Sequence, residues 1–137
     1  MKKVLVFGTF DGLHDGHRFL FREAKRYGDA LFVVVARDAT VLRVKKHEPV
    51  FSEEERVRFV SAEPLVGDAC LGYLDDVYRV IEEIRPDVIC LGYDQHVFAD
   101  RLPEVLQQRG IVASIERLPG YKPDIYKSSL LHQKGFF

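Results

Sequence analysis

Residues 30–36 read Ala-Leu-Phe-Val-Val-Val-Ala, apolar at every position. A strand turns successive side chains to opposite faces, so an unbroken apolar run needs cover on both sides. Parallel sheets with crossover helices supply that cover, because antiparallel sheets commonly leave one face to water. Val4–Phe7 and Val88–Leu91 repeat the pattern. Asp68–Leu71, set between Gly67 and Gly72, and Ile111–Ile115 are further strand candidates.

Helical spacing fills the intervals. Phe19, Leu20, Phe21, Ala24 and Tyr27 share one face of a helix that Gly28 stops. Ser52-Glu53-Glu54-Glu55 is a capping box that opens a helix reaching Ala62. Asp75 or Asp76 caps a helix bearing Val77, Tyr78, Ile81 and Ile84, and Arg85-Pro86 ends it. Leu102–Arg109 is a short helix with Pro103 in its first turn and Gly110 at its end. Strand and helix thus alternate, which predicts an α/β fold: one doubly wound, five-stranded parallel sheet with right-handed crossovers and helices on both faces.

The 137 residues suit a single domain spanning 1–137, and 47% apolar content is enough for a real core. Twenty Lys and Arg oppose 21 Asp and Glu, so a net charge of -1 gives no general attraction to nucleic acid or to an anionic membrane. Any anion site must be local. No run is long enough to span a bilayer, no secretion signal is evident, and Cys70 and Cys90 do not make a disulfide framework, which together predict a cytoplasmic protein.

The local anion site is predicted where Val4–Phe7 runs through Gly8, Thr9, Phe10, Asp11 and Gly12 into a helix beginning near Gly16 and His17. A strand-to-helix junction exposes unpaired N–H groups and the positive end of the helix dipole, a ready seat for phosphate. His14 and His17 stand there with Gly16 between them, so backbone can approach a ligand while two imidazoles donate to it. A zinc reading of the pair lacks a third ligand at suitable spacing.

Gly8-Thr9-Phe10-Asp11 followed by His14-Asp15-Gly16-His17 resembles the paired motifs of the cytidylyltransferase-like nucleotidyltransferases. The resemblance runs over nearly the entire chain. It implies a Rossmann-like enzyme that transfers a nucleoside monophosphate from a triphosphate to a phosphorylated acceptor, releasing pyrophosphate. His14, His17 and Lys46 are then the catalytic candidates, with Thr9 and Phe10 binding the nucleotide and Lys45 or Lys46 meeting substrate phosphate. Asp11 is a candidate contact to the acceptor or to a metal. Mg²⁺ is expected on the triphosphate, with no dedicated protein metal site. Arg56 either faces the nucleotide, as the resemblance implies, or is a surface arginine paired with Glu53.

Two further stretches carry specificity. Leu91-Gly92-Tyr93-Asp94-Gln95 leaves a buried strand at the binding edge and resembles the run in archaeal-type FAD synthases of this family, which join ATP to FMN. Tyr93, Asp94 and Gln95 are nucleotide-binding candidates, the alternative being that Asp94 caps the segment that follows and Tyr93 packs on it. Lys127, Ser128 and Ser129 correspond to a terminal Ser/Thr pair that contacts triphosphate in the family, and a serine there also suits an ordinary cap. The Ile-Ser-Thr-Thr run of the cytidylyltransferase branch is absent. The expected partners are therefore ATP, or CTP, and a phosphorylated small molecule such as FMN, with a homodimer as the assembly seen in relatives. Glycerol-3-phosphate or sugar-phosphate cytidylyl- or adenylyltransferase is the alternative. A non-catalytic nucleotide- or FMN-binding module is the alternative of another class.

Overall fold

The computed structural model describes residues 1–92 and 97–120. Five parallel strands, β1 (Lys3–Gly8), β2 (Ala30–Val35), β3 (Asp68–Leu71), β4 (Val88–Leu91) and β5 (Ser114–Arg117), form one sheet in the order β3-β2-β1-β4-β5. The order reverses between β1 and β4, so a crevice opens there at the carboxyl ends of the strands. The register pairs Gly8 with Val35 and Val35 with Leu71, which brings three strand ends level at that edge.

The helices are α1 (Asp15–Lys25), α2 (Asp38–Lys45), α3 (Glu53–Ser61), α4 (Arg79–Ile84) and α5 (Val97–Gln108). Alternation along β1 divides the core. Val4 and Val6 pack with Leu20, Phe21 and Ala24 of α1 and Val60 of α3, while Leu5 packs with Val80 and Ile81 of α4 and Leu102 and Leu106 of α5. Crossovers of one hand that run in opposite directions from β1 put their helices on opposite faces, as the doubly wound sheet requires. No helix among the described residues is long and apolar enough to cross a membrane.

Four elements differ from their sequence expectations. The stretch after β2, to which the sequence assigned no helix, contains α2, which buries only Val41. Its first turn is held from a distance, Asp38 N–H donating to Glu53 Oε1 at 2.8 Å. The helix expected from Asp75 or Asp76 begins at Arg79; Asp76 instead stabilises the preceding turn, its Oδ1 accepting from Tyr78 N–H at 3.1 Å. The fifth strand begins at Ser114, and Ile111 belongs to the end of α5. Gly110 takes φ +66° and Ile111 N–H reaches back to Leu106 carbonyl at 2.9 Å, a Schellman closure in which Ile111 is the buried apolar partner. Pro103 stands inside α5, which starts five residues earlier than expected.

Both cysteines are free, and Cys90 lies in the core on β4. Burial, with repulsion from Glu116 behind it, pushes the Cys90 thiol from 9.0 up to about 12. The neutral thiol is therefore the form the fold favours. Its contribution is fully present below the unfolded value and is lost as pH rises from 9.0 toward 12. Urea unfolding across that window should show Cys90→Val losing less stability than wild type, relative to each protein at neutral pH; equal losses would clear Cys90 of the effect.

Candidate active site

The first turn of α1 is built from the two histidines. His14 is the N-cap, its Nδ1 accepting from Gly16 N–H at 3.1 Å, and His17 Nδ1 reaches back toward His14 N–H at a longer 3.4 Å. This is a capping box in which imidazoles replace the usual hydroxyl and carboxyl. An imidazole that accepts at Nδ1 carries its proton on Nε2 when neutral, so the cap fixes the tautomer of both rings. Each ring then presents Nε2–H on the side away from the backbone.

Packing fixes the rings further. They stack with centroids 3.9 Å apart and 23° between planes. His17 is fully buried, and the Phe10 ring meets it edge-on at 5.2 Å while touching Phe21 at 5.4 Å. Phe10 adopts φ +54°, a left-handed conformation that costs a residue with a Cβ about 1–2 kcal/mol. That strain aims the ring into the core beneath the histidines. Phe10 thus buttresses His17 with a side chain that is itself fully buried.

Arg56 follows neither sequence reading. It is 0% exposed, pointing under the site and not at solvent or Glu53. Its Nη1 donates to the carbonyls of Thr9 and Ala36, both at 2.8 Å, Nη2 to Asp38 Oδ1 at 2.7 Å, and Nε to Phe51 carbonyl at 3.1 Å. The ends of β1 and β2, the start of α2 and the approach to α3 are joined by one guanidinium. Glu53, assigned to Arg56 in one reading, pairs with Arg37 at 2.9 Å, and Arg37 Nε donates to Gly72 carbonyl beyond β3.

Asp11 lies in the same loop, with both oxygens engaged: Oδ2 accepts from Val50 N–H at 2.7 Å and Oδ1 from Phe51 N–H at 2.9 Å. It tethers the segment between α2 and α3 to the histidine loop. Of the two lysines, Lys45 is half-buried and lines a cavity at the strand ends. Lys46 is exposed and caps α2 in a left-handed conformation at φ +67°. The fold thus brings together Thr9, Phe10, Asp11, His14, His17 and Lys45, with Lys46 on the outside. Tyr93, Asp94, Gln95, Lys127, Ser128 and Ser129 lie outside the described residues. Arg117, at the end of β5, donates to the Gly92 carbonyl at 2.7 Å and so joins the ends of β4 and β5 at the approach to that segment.

The cavity has a volume of about 310 Å³ and lies between α2 and the ends of β1, β2 and β3. Phe7, Val34, Val41, Val44, Tyr73 and Val77 make its walls, and Gly8 and Thr9 border it on the β1 side. It gave no signal in the sequence, because its residues come from separate elements and one of those, α2, was not legible. Among the described residues no group of three or more His, Cys, Asp or Glu side chains could hold a metal ion.

A crevice at a strand-order reversal, with two imidazoles held over a helix N-terminus, is an arrangement suited to phosphoryl chemistry. The cytidylyltransferase-like family profile matches residues 5–134, and the chain belongs to that family. It is 42% identical over 134 residues to the FAD synthase of Methanoculleus marisnigri, covering 98% of this chain and 89% of that protein. The FAD synthase of Ferroglobus placidus is 48% identical over 118 residues, covering 86% and 76%. The crystal structure of the lipopolysaccharide core biosynthesis protein from Thermoplasma volcanium superposes with a TM-score of 0.84 at 38% identity, covering 89% of this chain and 99% of that one. The chain is a nucleotidyltransferase.

Two substitution sets test the site. Removing one Nε2–H donor should lower kcat by roughly 10²–10³-fold, as for other preorganised donors. Because His14 caps α1 and His17 is buried, the alanine variants should also lose stability, about 1 kcal/mol for the cap. His14→Asn restores a capping acceptor, and should recover stability without recovering turnover; recovery of both would remove the imidazole from the chemistry. Separately, Arg56→Lys cannot span four acceptors, and urea unfolding should show a loss of about 3–5 kcal/mol, the usual cost of breaking a buried pair.

Proposed function

We propose that the chain is an FMN adenylyltransferase, an FAD synthase, working as one domain across residues 1–137. The observation that carries the reading is the pair of imidazoles held as Nε2–H donors by the start of α1, taken with FAD synthase relatives at 42–48% identity. A phosphate oxygen of FMN attacks the α-phosphorus of ATP, the bond to the β-phosphate breaks, and pyrophosphate leaves with the electron pair. The nucleophile is already ionised at neutral pH, so the site needs neither a general base nor a covalent intermediate.

What the protein contributes is alignment and positive charge on the oxygens of the transition state. His14 and His17 donate to the phosphates, the Thr9 and Phe10 backbone and the helix N-terminus hold them, and Lys45 meets the phosphate of the acceptor, with Lys46 on the rim. Lys127, Ser128 and Ser129 contact the triphosphate, and Tyr93, Asp94 and Gln95 read the base. Asp11 acts by positioning the 50–51 segment. The triphosphate brings Mg²⁺ as its own counter-ion, supplying charge neutralisation. A homodimer in the cytoplasm completes the reading.

Pyrophosphate release with ATP or CTP, against FMN or glycerol 3-phosphate, is the test. ATP with FMN should be the productive pair, and Asp94→Ala should lower the preference for ATP over CTP more than it lowers activity with the better nucleotide. A wild type that prefers CTP, or uses glycerol 3-phosphate and ignores FMN, overturns the assignment; flavin binding without pyrophosphate release makes the chain a carrier.

A further inference from the structure

We propose that Glu53 is a positioning residue for nucleotidyl transfer: it fixes the start of α2 and, through that helix, the place of Lys45 at its far end. The inference rests on the reading in which Lys45 meets a substrate phosphate, and on the structure for the role of Glu53. Helix α2 has little of its own to hold it. Val41 is its one buried residue, and its N-cap, Arg37, makes no side-chain cap. A helix this short does not persist without outside contacts. Its orientation therefore depends on what grips its first turn.

Two carboxylates grip it. Asp38 Oδ1 accepts from Arg56 Nη2 at 2.7 Å, which ties the helix to the buried guanidinium. Glu53 reaches across from the first turn of α3. Its Oε1 accepts from Asp38 N–H at 2.8 Å, the cap that Arg37 does not supply, and its Oε2 accepts from Arg37 Nη1 at 2.9 Å. Arg37 Nε in turn donates to Gly72 carbonyl at 2.8 Å, so the start of α2 is strung between α3 and the chain beyond β3. The Glu53 side chain is only 15% exposed, which shields the pair from the screening that weakens surface ion pairs. Its own helix does not depend on it, because α3 is capped by the reciprocal pair Ser52 and Glu55.

Geometry carries the effect to the other end. Lys45 stands about 10 Å along the axis from Asp38, so a tilt of about ten degrees at the first turn would move it by about 2 Å. Group transfer is sensitive on a finer scale, since a misplacement of about 1 Å can cost about 10²-fold in rate. Beyond Lys45 the chain turns left-handed at Lys46, φ +67°, and the Lys46 N–H closes on Leu42 carbonyl at 2.9 Å. The helix thus ends by bonding to itself, and its aim is set where it begins.

A double-mutant cycle on pyrophosphate release tests the coupling. It is run with whichever nucleotide and acceptor wild type turns over, so rejection of FMN removes the flavin assignment and leaves the cycle to decide on Glu53. Lys45→Ala should lower kcat/KM for the acceptor by about tenfold or more. Glu53→Ala should lower it by about fivefold or more while the nucleotide KM stays within about twofold. In the Lys45→Ala background, Glu53→Ala should cost less than about twofold further, because it acts through the lysine. A purely structural role would instead multiply the two losses. Glu53→Gln keeps an acceptor for Asp38 N–H but sets an amide against Arg37; it is the second variant should Glu53→Ala fail to fold, read by the same cycle. Multiplied losses, unchanged acceptor kinetics in a folded Glu53 variant, or unchanged kinetics in Lys45→Ala overturn the proposal.

Discussion

The active edge of this fold depends on the guanidinium of Arg56. Strand ends in a parallel sheet present carbonyls with no further ladder to join, and the loops leaving them diverge toward different helices. Arg56 collects the Thr9 and Ala36 carbonyls, one just past the end of β1 and one just past the end of β2, and ties them to Asp38 and Phe51. A buried cation is costly to desolvate, and four donated bonds offset that cost only because they converge from four separate segments. The spacing of Thr9 from Ala36 is consequently rigid, and with it the relation of the histidine loop to α2.

Charge neutralisation extends the same frame outward. Glu53 accepts from Arg37 and from the first N–H of α2, and Arg37 donates to Gly72 after β3. Asp11 adds the 50–51 segment. The cations nearest the strand ends are thus largely committed to protein acceptors. In the proposed reaction the imidazoles and the lysine at the end of α2 would meet the phosphates, which is compatible with a chain whose net charge is only -1.

How much of this was legible in the sequence follows from the range of each interaction. Strands β1, β2 and β4 were readable because burial on both faces writes itself as an unbroken apolar run, α1 because its apolar residues keep helical spacing, and α3 because its capping box lies within three residues of the helix start. General rules of chirality fix the hand of the crossovers, while the order β3-β2-β1-β4-β5 is set by contacts between strands remote in sequence. Helix α2 was not readable: its capping carboxylate is fifteen residues away and its only buried side chain is Val41. Arg56 was visible as a residue and misread as to role, since its partners at positions 9, 36 and 38 are remote in sequence. The cavity was hidden for the same reason. Local chemistry was legible; chemistry assembled by the sheet edge was not.

The histidine pair shows why motif and fold cannot be separated here. Serine or aspartate would cap α1 as well, but histidine uses Nδ1 for the cap and so carries its proton on Nε2, and a single side chain starts the helix and fixes its own tautomer. The second histidine, at the third helical position, repeats the arrangement and stacks on the first. In the proposed reaction, Nε2–H donors held before substrate arrives would not have to be oriented during the chemical step, which is where preorganised donors gain their advantage over water. The strained Phe10 that buttresses His17 belongs to the same economy: its left-handed backbone is tolerated because the ring behind it is packed on Phe21 and cannot relax without exposing the core. Stability is thereby drawn on at the loop and restored in the core, and the direction of that exchange holds the two imidazoles at the start of α1.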